Sequence, residues 1–65
     1  MSKVQVVRKA TSRMVGVNVP EERLELYLAC LPPGVYSIEN AEGAETALAM
    51  VCKGKVRVQP VVAVM

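Results

Sequence analysis

Hydrophobic and polar positions alternate in two short runs near the N-terminus. The first, Val4-Gln5-Val6, places its two valines on one face of a strand. The second runs from Met14 to Val19 with valine at every other position, and Thr11-Ser12 between the runs fits a turn. The two runs therefore predict an N-terminal β-hairpin. Gly16, inside the second run, predicts a bulge or a close backbone approach.

After Pro20 the spacing changes to that of a helix. Proline is accepted at the first helical position, and Glu21 and Glu22 suit the positive end of the helix dipole. Leu26 points away from the apolar stripe and predicts a second protein surface, and Pro32-Pro33-Gly34 ends the helix. The stripe itself, with the i, i+3, i+4, i+7 spacing, is Leu24, Tyr27, Leu28 and Leu31.

A short strand, Val35 to Ile38, precedes the one ambiguous segment, residues 44–53. Apolar residues there keep helical spacing, the alanines favour helix, and Gly54 suits a helix C-cap. The competing interpretation is a strand from Thr46 to Cys52 that turns at Lys53-Gly54, although this turn is weaker than Asn-Gly or Asp-Gly. Helix is the favoured interpretation, with strand as the alternative.

The last segment, Lys55 to Met65, predicts a strand. Pro60 within it predicts an edge or a bulge, because proline cannot donate to the hydrogen-bond ladder. The predicted fold class is α+β: one domain over residues 1–65 in the order ββαβαβ. Four residues of its apolar end, together with Leu26, form the predicted protein interface: Val61, Val62, Val64 and Met65.

Composition indicates that this domain associates. The chain has 65 residues, 52% of them hydrophobic, and neither Phe nor Trp. So small a domain is marginally stable alone, and we expect a homodimer. Cys30 and Cys52 form no paired motif and no apolar run reaches the length of a membrane helix, so we expect free thiols in a reducing cytoplasm.

Candidate catalytic chemistry is sparse. The chain contains no His and no Asp, so the commonest general base and metal ligand is missing. The two cysteines fall near the ends of the two predicted helices, where we expect buried, unreactive thiols. Neither of the two glycine-rich phosphate-binding motifs, GxGxxG and GxxxxGK[ST], is present in the sequence. We therefore expect a non-enzyme without cofactor or metal.

The charges are sorted by position along the chain. Residues 1–20 and 46–65 carry seven Lys and Arg and no acid, whereas all six Glu lie between them. If the first and last strands are neighbours, their cations share one basic face that would bind duplex DNA or an acidic protein. Three amide side chains are candidates for base contacts, Gln5, Asn18 and Gln59. The candidate phosphate contacts are Lys3, Arg8, Lys9, Arg13, Lys53, Lys55 and Arg57.

Three segments resemble a known family. The segments are Val15-Gly16-Val17-Asn18-Val19-Pro20-Glu21, then Leu31-Pro32-Pro33-Gly34, and later Gly54 to Val61. Together they look like the swapped-hairpin DNA-binding domains of the AbrB and MazE antitoxin type. The resemblance implies an intertwined dimer that binds DNA through Arg8, Lys9 and Arg13. Residues 41–53 depart from the pattern, since that family has a tight hairpin there.

Two functions follow as hypotheses. The leading one is a small regulatory protein that binds duplex DNA through the basic face. The alternative is a protein-binding accessory module, such as an inhibitor or adaptor of the kind that phage and mobile-element genes encode, acting through the apolar surface around Leu26 and the C-terminal residues.

Overall fold

A computed structural model describes residues 2–61 as one antiparallel sheet with a short helix on one of its faces. The sheet order is β2-β1-β3-β4-β5. A 3-10 turn, Glu21–Arg23, leads directly into the helix α1, Leu24–Ala29. The strands are β1 (Lys3–Arg8), β2 (Arg13–Pro20), β3 (Gly34–Glu39), β4 (Glu45–Cys52) and β5 (Lys55–Pro60).

The N-terminal hairpin is confirmed, with β1 and β2 antiparallel. Its register shifts twice, and at one shift Asn18 takes a φ of 57°, in the left-handed region. Such bulges break the alternation of side chains along a strand. As a result Val19 is buried while Val17 is 59% exposed, so the valines of this run do not share one face as the sequence pattern suggested.

The helix packs onto the sheet through the predicted stripe. Leu28 is fully buried, and the other members of the stripe pack against the core. Tyr27 lies against Gly16, where an added β-carbon would come within 2.9 Å of the ring. The Tyr27 hydroxyl donates to the carbonyl oxygen of Val15. Gly16 therefore lies in a bulged region, as its position in the strand predicted, and the close approach there is made by a side chain rather than by backbone.

The predicted second helix is wrong. Residues 45–52 form β4, which pairs with β3 on one side and β5 on the other. The order is therefore ββαβββ rather than ββαβαβ. Lys53 and Gly54 have φ of 50° and 80°, so positive φ at both central residues gives the two-residue turn that suits a hairpin. Pairing on both sides outweighs the helix preference of the alanines.

The predicted neighbourhood of the first and last strands is also wrong. β1 and β5 are separated by β3 and β4, and the sheet edges are β2 and β5. After β2 the chain passes through α1 and enters β3, which pairs with β1. The strands β4 and β5 then follow on the far side of β3. Pro60 does lie on an edge strand, as its missing N–H predicted.

The two faces of the sheet differ. The helix-covered face holds the core, in which Val6 and Tyr36 are fully buried. The other face, here called the open face, carries no helix in the described part of the chain. Alternation along the paired strands places the following side chains on the open face: Gln5, Val7, Lys9, Met14, Val35, Ser37, Glu39, Glu45, Leu48, Met50, Arg57 and Gln59.

Candidate nucleic-acid interface

Three connections of the chain meet at one end of the sheet. In an antiparallel hairpin the turn lies where the first strand ends, so the β1–β2 and β4–β5 turns are both at the end where β3 begins. Each turn is flanked by cations. We call this the basic end, and its six cationic residues are Arg8, Lys9, Arg13, Lys53, Lys55 and Arg57.

The segments at the basic end contain no acid. Residues 8–14, 30–36 and 50–57 include neither Asp nor Glu. All six glutamates lie toward the opposite end, here called the acidic end: three in the 3-10 turn and the first turn of α1, and three in or beside the β3–β4 connection. The molecule is therefore polarised along its strands rather than across its faces.

Arg8 and Arg13 form the tightest cationic pair. They lie directly opposite each other across the first hairpin. Arg13 is exposed and Arg8 is half-buried beside Tyr36, its partner on β3. The Nε atom of Arg8 is buried and makes no hydrogen bond to any residue from 2 to 61. Like charges directly opposite in a sheet repel, so this pair costs the isolated fold some stability.

Lys9 is the one cation of the basic end that has an acidic partner among the described residues. Its Nζ lies 3.5 Å from Oε2 of Glu45, which reaches across the open face. The hydroxyl of Ser37 donates to the same oxygen at 2.7 Å. That hydrogen bond, assisted by the charge of Lys9 and opposed by partial desolvation, lowers the pKa of Glu45 below its ordinary 4.5.

The second turn adds cations on the far side of the sheet. Lys53, Lys55 and Arg57 are all exposed, the last two on the edge strand β5. From β1 or β2 to β5 the sheet spans three or four strand spacings, about 14–19 Å at about 4.8 Å each. The basic end is thus a ridge that carries charge at both extremities.

The structure does not bring the remaining predicted nucleic-acid residues to this ridge. Lys3 begins β1 at the acidic end, beside the Asn40–Glu42 loop. Asn18 lies in the bulged part of β2, and Gln5 lies opposite Glu39. Gln59 is on β5, three strand spacings from Gln5, so no common ribbon presents the two amides.

The structure describes two of the five residues of the predicted protein interface. Leu26 is 74% exposed, the most exposed large apolar side chain of the described residues, and Val61 is 41% exposed beyond β5. Val62, Val64 and Met65 lie outside the described residues. Cys30 and Cys52 are exposed free thiols, so the expectation of buried thiols is wrong.

The open face also holds a shallow groove of about 380 Å³ above Ser37. Its lining includes Val7, Met14, Lys9, Glu39 and Glu45. A carboxylate whose pKa is lowered is a weak base, so the contact of Ser37 with Glu45 does not resemble an activated nucleophile. No sequence pattern indicated this cluster, because its members meet only through the register of β1, β3 and β4.

Residues 2–61 include no cluster of three potential metal ligands and no helix long and apolar enough to cross a bilayer. The chain matches no protein-family model, no curated protein and no solved structure. The resemblance to AbrB and MazE antitoxin domains therefore stays a prediction.

Proposed function

We propose that this protein binds duplex DNA through the basic end of its sheet. The observation that carries the proposal is the placement of six cations, on two separate turns, at an end whose surrounding segments contain no acid. A surface of this kind attracts the phosphate backbone and releases condensed counterions.

The spacing of the two turns supports a duplex as ligand. They are about 14–19 Å apart, and the major groove of B-DNA is about 12 Å wide. One turn can therefore contact the phosphates on one side of a groove while the other contacts those on the opposite side. Contacts of this kind position a protein on DNA without reading its sequence.

Single-stranded nucleic acid is a poorer fit. Proteins that bind single strands stack bases on aromatic side chains, and the chain has two aromatics. Tyr36 is fully buried, and the hydroxyl of half-buried Tyr27 is bonded to Val15. Neither ring lies on the basic end as a stacking platform.

Arg8 and Arg13 are the expected centre of the interface. A phosphate between two guanidinium groups removes their mutual repulsion and supplies acceptors for several N–H donors at once. A pair that costs the free protein stability thus becomes favourable in the complex.

Fluorescence anisotropy with a labelled 20-base-pair duplex tests the proposal. If about four phosphates are contacted, affinity should fall roughly 100-fold between 50 and 200 mM salt. The same oligonucleotide as a single strand should bind more weakly. Undetectable binding at low salt, or affinity independent of salt, would rule the proposal out.

A further inference from the structure

Ser37 lies at the centre of the open face and is nearly buried, although the described helix packs on the other face. It is 3% exposed, whereas its cross-strand neighbours on the open face, Val7 and Leu48, are only half-buried. Its hydroxyl donates to Oε2 of Glu45 at 2.7 Å. The carboxylate is therefore held over the middle of the face by a side chain that is itself fixed by packing.

The side chain of Lys9 leaves its own row of the sheet to reach this carboxylate. The backbone N–H of Lys9 bonds to Val35 near the basic end, whereas Glu45 lies opposite Glu39 near the acidic end. Val35 and Glu39 are four residues apart on β3, which is about 13 Å along a strand. The Nζ atom of Lys9 nevertheless lies 3.5 Å from Oε2 of Glu45. The charge of Lys9 is thus drawn along the open face, away from the basic end.

This ion pair is better prepared than an ordinary surface pair. Exposed pairs are weak partly because two long side chains must be held in one geometry. Here the hydrogen bond from Ser37 already holds the carboxylate, and the side chain of Glu45 is 34% exposed. The same hydrogen bond lowers the pKa of Glu45, so the carboxylate is charged at neutral pH. Lys9 therefore meets a fixed and fully charged acceptor.

We propose that Glu45 competes with DNA phosphates for Lys9 and thereby lowers the affinity of the basic end for duplex DNA. The inference rests on the proposed function, because it concerns the same cations. A carboxylate and a phosphate offer the ammonium group the same charge-assisted contact, and two anions at one ammonium group repel each other. A phosphate that binds Lys9 must therefore displace Glu45. Ser37 is a positioning residue, since it acts on Lys9 only through Glu45.

Lys9 should then behave unlike the other cations of the basic end. Among residues 2–61 it is the only one of those cations with an acidic partner. Replacing Lys55, for example, removes a phosphate contact outright. Lys9→Gln removes a charge that Glu45 already occupies, so it should cost the wild type little affinity. The same substitution should cost more once residue 45 is neutral.

Fluorescence anisotropy with the 20-base-pair duplex at 50 mM salt tests the competition. Glu45→Gln should tighten binding roughly three- to fivefold, the ratio that corresponds to the stronger exposed ion pairs. Glu39→Gln removes the same charge from the adjacent strand but leaves the contact of Lys9 with Glu45 in place, so it should tighten binding less than about twofold. In a Lys9→Gln background the two substitutions should have equal effects.

A substitution that changes no charge tests the role of the anchor. Ser37→Ala frees the Glu45 carboxylate to move and should tighten duplex binding about twofold. Thr46→Ala is the matched control, because it removes a hydroxyl beside Glu45 that bonds to the carbonyl oxygen of Ile38. It should leave the affinity for DNA unchanged. Circular dichroism should show all variants folded.

Two results would overturn this inference and leave the proposed function in place. One is an equal effect of Glu45→Gln and Glu39→Gln in the presence of Lys9. The other is a Ser37→Ala protein that binds the duplex like the wild type. Undetectable duplex binding by the wild type and by every variant would overturn the proposed function and this inference together.

Discussion

Arg13 lies directly opposite Arg8 across the first hairpin, with no acid between residues 8 and 14 to separate the two charges. Sheets normally avoid such pairs because the repulsion opposes folding. Here the repulsion remains while the six glutamates are held at the other end. Strain of this kind is expected where a surface is arranged for a ligand.

The first prediction concerns the cost of this pair. Arg13→Gln should raise the free energy of unfolding by about 0.5 kcal/mol, which is about 2–4 °C in melting temperature for a domain of this size. The same variant should bind duplex DNA more weakly. Thermal melts and anisotropy on one preparation check both effects. Arg23→Gln, an exposed arginine in the 3-10 turn, is the control and should change neither quantity.

The second prediction concerns the contact of the helix with the sheet. Gly16→Ala places a β-carbon 2.9 Å from the ring of Tyr27 and should destabilise the fold by about 1–3 kcal/mol. In a Tyr27→Leu background the same substitution should cost much less, because the ring is gone. Urea unfolding of the four proteins in this double-mutant cycle measures the coupling. Strictly additive costs would show that the ring does not restrict position 16.

The third prediction concerns acid stability. The pKa of Glu45 is lower in the folded protein than in the unfolded chain, chiefly through the hydrogen bond from Ser37. The unfolded state therefore binds more protons, and stability present above about pH 4.5 is lost as the pH falls through the folded pKa. Ser37→Ala should make stability between pH 5 and 3 less dependent on pH. Equal pH slopes for wild type and variant would contradict this assignment.

The fourth prediction concerns the exposed edge. Alternation along β5 directs the Pro60 nitrogen outward, so the proline withholds a donor at the edge without costing a bond to β4. Pro60→Thr should keep the fold but increase aggregation, measured as light scattering on heating. Gln59→Thr introduces the same residue where the N–H already faces β4, and should aggregate like the wild type.

Local patterns predicted the elements that have a single clear period. The hairpin and the stripe of α1 follow from such patterns. The prediction that Pro20 is the first helical residue is wrong, because Pro20 ends β2 and α1 begins only at Leu24, after the 3-10 turn. The segment 45–52 was different because it is apolar on both sides: Ala47, Ala49 and Val51 face the helix, while Leu48 and Met50 are on the open face. With no polar position to reveal a period of two, the alanines suggested a helix.

The candidate site depended on strand order, which local patterns do not contain. The sequence showed that cations occupy both ends of the chain and glutamates its middle. It did not show that β3 would insert beside β1 and move β5 to the far edge. The cations of the two turns nevertheless meet at one end because both turns of an antiparallel sheet lie there, and Lys3 is left behind at the other end.

The salt dependence of duplex binding in matched charge variants tests the central claim most directly. Each neutralised phosphate contact should reduce the slope of log affinity against log salt by about 0.9. Arg13→Gln and Lys55→Gln, at the basic end, should each lose about that much. Lys3→Gln and Arg23→Gln remove the same charge at the acidic end and should keep the wild-type slope. Equal losses in all four variants would mean that net charge alone drives binding, and the account of the basic end would be wrong.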